Sequence, residues 1–186
     1  MDLDLAIRSR RAVRDFKDTP VARPFLTRLI DAAVQAPSAM NEQPWAFTVV
    51  QDRGILTRVS TRAKAYALRD PSLDLPRSLR DLLGRPDFDL FHHAPALIVI
   101  SSESRSRWAV ENCALAAQNL MLCACAEGLG SCWIGLAQPW LATVDGKSTL
   151  RLPPDGLPVA PIIVGEPATV PPTVPRNAPR IEWIGP

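Results

Sequence analysis

Five basic side chains, Arg8, Arg10, Arg11, Arg14 and Lys17, fall within ten positions of one another near the N-terminus. Ala12, Val13 and Phe16 are interleaved with them and can anchor the backbone to a core. Two readings fit such a run. It can be a solvated basic face, the common outcome for clustered charge, or a phosphate site. Guanidinium groups suit phosphate because their planar fork matches its oxygens, each charge-assisted bond contributing about 1.5 to 3 kcal/mol. A second stretch has complementary chemistry: P-S-A-M-N-E-Q-P-W, from Pro37 to Trp45, carries Ser38, Asn41 and Gln43 between two prolines that keep it extended. These uncharged donors and acceptors can read the edge of a heterocycle, and turn formation alone would also explain Ser38 and Asn41.

Other chemistries are poorly supported. The four cysteines, Cys113, Cys123, Cys125 and Cys132, form no C-x-x-C pair. Cys123 and Cys125, on a helix, point about 200° apart and cannot converge on one ion. They read as buried, inert thiols. His92 and His93 are the only imidazoles, too few for a His-rich metal site, and read as structural residues at the entry to a strand. A net charge of +2 argues against a nucleic-acid partner. The start, acidic and then basic without an apolar run, resembles neither signal nor transit peptide, which places the protein in the cytoplasm.

The elements that must position these residues centre on Trp108 to Leu136. From Ala109 to Glu127 the chain is mostly Ala, Leu, Met, Cys and Val, with Gly128 as a stop. The pattern predicts a helix covered by protein on nearly every side, whether by its own chain or by a symmetry mate. Gln118, Asn119 and Glu127 argue against a membrane span. Around it are predicted a helix over Asp2 to Ser9 with Leu3, Ala6 and Ile7 on one side, and another after Arg23 ended by Pro37. Strands are predicted at Trp45 to Gln51, Ala96 to Ser102, Ser131 to Leu136 and Val159 to Glu166, the second central in its sheet and the last with Pro161 near its start. Short helices near Leu56 to Tyr66 and Leu75 to Leu83 make residues 53–91 a candidate mobile cover. Ten of the 19 prolines lie from Pro153 onward, and the V-P-P-T-V-P arm (Val170 to Pro175) ends in R-I-E-W-I. An apolar strand on a stiff arm suggests pairing at a distance, including on another subunit. At 186 residues the chain suits one domain.

Four motifs, S-R-R-A-V-R (from Ser9), A-P-S-A-M-N-E-Q-P-W (from Ala36), A-A-Q-N-L-M-L-C-A (from Ala116) and G-L-G-S-C-W-I-G (from Gly128), together resemble the nitroreductase family of flavoproteins. The resemblance implies an α+β fold with a mixed, mostly antiparallel sheet flanked by helices, in an intertwined homodimer with FMN in the interface. It implies that Arg10 and Arg11 hold the FMN phosphate and ribityl chain and that Arg14 faces the pyrimidine edge. Pro37, Ser38, Ala39 and Asn41 would approach the ring from the second subunit. Backbone N–H groups of Trp133, Ile134 and Gly135 would reach N5 and the neighbouring carbonyl, and Arg176, with Arg180 as alternative, would add a phosphate cation from the arm (168–186). Ala12 stands where the family usually has Ser, which removes one donor to the cofactor. The implied reaction is ping-pong hydride transfer from NAD(P)H through FMN to a nitroaromatic, quinone or activated alkene. Flavin reductase, flavin-fragmenting and azoline oxidase activities, and FMN binding without turnover, are the alternatives.

Overall fold

The run A-L-I-V-I-S-S is apolar from Ala96 to Ile100 because both of its faces are covered. In the computed structural model, which describes residues 1–169 and 171–185, it forms the fully buried strand β2 of a four-stranded sheet. Val170 and Pro186, both part of the expected arm, lie outside the described residues. In chain order the elements are α1 (Leu3–Ser9), α2 (Arg23–Ala33), β1 (Trp45–Val50), α3 (Arg53–Arg69), α4 (Arg77–Gly84), β2 (Ala96–Ser102), α5 (Ala109–Ala126), β3 (Gly130–Trp133), α6 (Gln138–Leu141), α7 (Val144–Leu150) and β4 (Leu157–Gly165).

The strand order is β1-β2-β4-β3, all neighbours antiparallel, and the one parallel pairing among the described residues is an isolated bridge between Ala12 and Ser131. Side chains alternate between two cores, as the period of two requires. Leu97, Val99, Cys132 and Ile163 face α3, α6 and α7, whereas Ala96, Ile98, Ile100, Ile162 and Val164 face α2 and α5. The layered α+β architecture is the one expected.

Several boundaries differ for physical reasons. Pro161 sits inside β4, opposite Val99, beside the register shift at Ile100/Ser101 where a missing N–H is tolerated. β3 ends at Trp133, because Gly135–Ala137 turns into a 3-10 helix. α3 runs for 17 residues and buries Leu56, Val59, Ala63 and Ala67, so it is a wall of the core, and only the segment after it can cover anything. The chain between Leu136 and Pro158, left without elements by the sequence, holds α6 and α7.

α5 closes in a Schellman motif: Gly128, at φ 77°, donates to Cys125 O and Leu129 donates to Ala124 O. Its Cys113, Ala116, Ala117, Leu120 and Ala124 are buried against α2 and the sheet, yet Trp108, Val110 and Leu115 are exposed. The chain therefore covers one side of α5, not nearly all of it. α1 is similar: Ala6 is buried, while Leu3, Leu5 and Ile7 lie in solvent.

Candidate functional site

The N-terminal cations do not behave alike. Arg8 pairs with Asp4 and Lys17 pairs with Glu166. Among the described residues, Arg10, Arg11 and Arg14 meet no carboxylate. Their backbone is seated on the end of the sheet: Val13 N–H donates to Ser131 O at 3.0 Å and Lys17 N–H to Glu166 O at 2.9 Å. Arg11 turns partly inward, donating from Nη1 to Arg8 O and Arg10 O at the end of α1, and its Nε is buried without a partner. Arg10 and Arg14 lie near the Cys132 thiol: burial pushes its pKa up, and the two guanidiniums pull the other way. Cys113, deeper in the core, is pushed up to about 12 by burial alone, as befits an inert thiol.

Arg14 opens onto a cleft of about 530 Å³. Its floor is Trp133, Ile134, Gly135 and Leu136, and its wall is Leu79, Leu82, Phe88, Leu90 and His92. Ile134 N–H donates to Pro161 O at 2.8 Å, so the expectation that this group reaches a ligand is corrected: the strand end has already used it. Gly135 opens a 3-10 turn, where the first N–H groups have no carbonyl behind them, and is the better backbone donor. Cationic rim, apolar wall and free backbone donor suit a planar, anionic, partly apolar ligand.

Two α3 side chains hold that wall in place. Buried Lys64 donates from Nζ to Arg85 O and Phe88 O, and Ser60 Oγ accepts from Leu90 N at 2.8 Å. His92 follows, half-buried, edge-on to Phe88 with ring centroids 5.6 Å apart. Burial, then Arg14, lowers its pKa, with Asp89 opposing. Sequence reading assigned His92 no place in the site, and nothing in the sequence near it carries such a signal.

The Pro37–Asn41 loop is elsewhere and contributes nothing to the cleft lining. Met40, Asn41 and Gln43 have φ of 53°, 54° and 47°, a left-handed conformation costing non-glycine residues roughly 1–2 kcal/mol each. Asn112, buried on α5, holds the loop: its Oδ1 accepts from Ala39 N at 2.9 Å, its Nδ2 donates to Glu42, and its carbonyl accepts from the Trp45 indole. Met40 is exposed, at 91%. Arg176, in the arm, is exposed, extended and in no ion pair among the described residues, whereas Arg180 lies 3.9 Å from Glu182.

Comparison with known proteins matches the chain to nitroreductases by sequence and fold. A model of the nitroreductase family matches residues 7–166. A nitrobenzene nitroreductase of Ectopseudomonas oleovorans is 30% identical over 200 aligned positions, covering 88% of this chain and 86% of that protein. An FMN-bound nitroreductase of Bacteroides fragilis superposes with a TM-score of 0.88 at 23% identity, covering both chains in full. One of Desulfitobacterium hafniense, also with FMN, gives 0.83 at 25%, again over both full lengths. With its motifs in order, its sheet flanked by helices on both faces and its family match spanning residues 7–166, this chain belongs to the nitroreductase family.

Proposed function

We propose that this protein is an FMN-dependent oxidoreductase that works as a homodimer, taking reducing equivalents from NAD(P)H and passing them to a nitroaromatic, quinone or activated alkene. The observation that carries the reading is Arg14 at an apolar-walled cleft, with Arg10 and Arg11 close by in the chain and all three without a carboxylate partner among the described residues. FMN, when bound, supplies the hydride chemistry, so no side chain need act as acid, base or nucleophile. Arg10 and Arg11 hold the phosphate and ribityl chain. Arg14 faces the pyrimidine edge, where a cation favours the negative charge of reduction. Ala12 contributes backbone alone, and the missing hydroxyl costs FMN affinity about 1 kcal/mol relative to a Ser. Trp133 and Gly135 carry the floor, and Ile134 contributes its side chain rather than its N–H. Leu79, Leu82, Phe88 and Leu90 exclude water and leave room for one flat substrate at a time, which makes donor and acceptor alternate.

The dimer accounts for what the single chain leaves open. Pro37, Ser38, Ala39 and Asn41 of the partner subunit complete the ring site, which is why the loop is held rigid away from its own cleft. The bare sides of α1 and α5 pack on their mates. The arm carries Ile181, Trp183 and Ile184, exposed at 62%, 87% and 95%, too apolar to leave in water. β1 is an edge strand beside a groove lined by Leu26, Ile30, Val49 and Gln51, and the R-I-E-W-I segment adds there on the partner, bringing Arg176 to the phosphate.

The test is direct. Purified protein should bind FMN at micromolar concentration with a change in flavin absorbance and fluorescence, and oxidise NADH or NADPH with menadione or nitrofurazone. No flavin binding, or binding of FAD alone, would sink the reading. Tight FMN without NAD(P)H oxidation across acceptors would identify a binding protein without turnover.

A further inference from the structure

We propose that His92 reads the pyrimidine edge of the flavin beside Arg14, as a neutral N–H donor at neutral pH, and takes up a proton from solvent when the cofactor is reduced. The inference rests on the proposed function and adds a residue and a pH dependence to it.

Two consecutive residues, His92 and His93, adopt left-handed backbone, with φ of 52° and 56°. Strained non-glycine pairs persist where the surroundings impose them, and they cluster at functional sites. Here Asp89 imposes the turn: its carbonyl accepts from His92 N at 3.0 Å and its carboxylate from Phe91 N at 2.7 Å. The result sends the two imidazoles in different directions. His93 stands in solvent, 3.5 Å from Asp89. His92 turns inward, where it lines the main cleft and also a neighbouring recess of about 280 Å³. Arg14 lines both as well, so the guanidinium and the imidazole share the boundary between the two spaces.

The charged groups around His92 come from three segments. Arg14 and Asp15 belong to the N-terminal segment, Arg85 and Asp87 follow α4 and pair with each other at 2.6 Å, and Asp89 and His93 share its own turn. The β3 end contributes only Trp133 to Leu136, without charge. Asp89 is engaged by Phe91 N–H and His93, so it does not lock His92 in the charged form. Burial and Arg14 keep the imidazole below the ordinary histidine value of 6.5, hence neutral with one N–H to donate.

The proton balance follows. Two electrons arriving with one proton leave one negative charge at the pyrimidine edge, and that charge raises the affinity of His92 for a proton. Between the His92 pKa of the oxidised protein, which burial and Arg14 hold below the ordinary value, and its higher value in the reduced protein, reduction then takes up two protons for two electrons, and above that window it takes up one. The potential should therefore change with pH twice as steeply in the lower window.

The experiment is a spectroelectrochemical titration of the FMN-loaded protein from acid to alkaline pH, with wild type and His92→Asn. Asn accepts left-handed backbone and does not titrate. Doubling of the slope in wild type and a single slope in the variant would support the proposal, and coincident slopes would overturn it. On the intact loaded protein, nitrogen NMR of the imidazoles is a second measurement: the His92 pKa should be higher in the reduced state, and equal values would overturn the proposal even if the variant does not fold. Failure to bind flavin at all would instead remove the functional reading beneath it.

Discussion

The segments 10–17 and 171–185 both lie outside the four strands, and both carry at least one arginine without a carboxylate partner among the described residues, yet only the first is seated on its own chain. The reason is a surface made for it. Gly130 and Gly165 face each other across β3 and β4, and a Cβ on Gly130 would come within 2.7 to 2.8 Å of the Val13 side chain. A Cβ on Gly165 would come within 2.8 Å of Phe16. The glycine pair thus leaves the hollow into which Val13 and Phe16 settle, and backbone bonds to Ser131 and Glu166 finish the docking. The arm has no such hollow among the described residues. It leaves the fold where Ala168 N–H and Thr169 Oγ1 both bond to Asp15, and proline after proline then removes donors. Apolar side chains without a complementary surface among the described residues of their own chain are what the proposed exchange with another copy rests on.

Breaking the arm should have the largest effect. Deleting residues after Pro175 removes Ile181, Trp183 and Ile184, each contributing about 1.5 to 3 kcal/mol if buried in the dimer. The dissociation constant of the dimer should rise by roughly a hundredfold or more, with loss of FMN, while circular dichroism shows each subunit still folded. Sedimentation and flavin fluorescence measure both, and a truncated form that stays dimeric and yellow would refute the exchange.

Gly130→Val strikes the docked segment instead. Overpacking of this kind costs about 1 to 3 kcal/mol, and displacement of Val13 should carry the three cations out of register. Thermal melting should fall and FMN affinity should drop, with the dimer retained in sedimentation. Unchanged flavin affinity would detach the docked segment from the cofactor site.

Arg14→Ala should be milder because the guanidinium has no ion pair to lose. Flavin binding should weaken by about 1.5 to 3 kcal/mol, or the bound potential should fall, with melting unaltered. An unchanged dissociation constant together with an unchanged potential would take Arg14 out of the site.

Smallest of all should be a change that touches neither segment. Arg28 grips Glu127 at the end of α5, and this surface pair holds the Glu127 pKa below its ordinary 4.5 by hydrogen bonding. A depressed carboxylate contributes stability above its unfolded pKa and loses it as pH falls through the folded one. Glu127→Gln should therefore leave melting at pH 7 almost unchanged and flatten only the acid limb below pH 4.5. A large loss at neutral pH would show that the clasp carries more than surface charge.

The sequence by itself determined the elements whose signals are local. The apolar run of β2 and the small-residue pattern of α5 with its Gly128 stop are matched by local backbone behaviour, whereas the Pro37–Trp45 loop, expected to stay extended, folds through a 3-10 turn at Ala39–Asn41 with left-handed Met40, Asn41 and Gln43. Side-chain period and backbone freedom act over a few residues, so they can be read without a partner. It also placed Arg10, Arg11 and Arg14 in one cluster, since they are neighbours in the chain. Only the tertiary structure decided which of the five cations lack a counter-charge, because Asp4 is near in sequence but Glu166 is 149 positions from Lys17. It alone gave Ile134 N–H to Pro161, set α3 in the core, brought His92 beside Arg14 and showed which sides of α1 and α5 stay bare. Each depends on which distant surfaces meet, and a hydrogen bond or a buried face is settled by the partner that arrives rather than by the residue that waits.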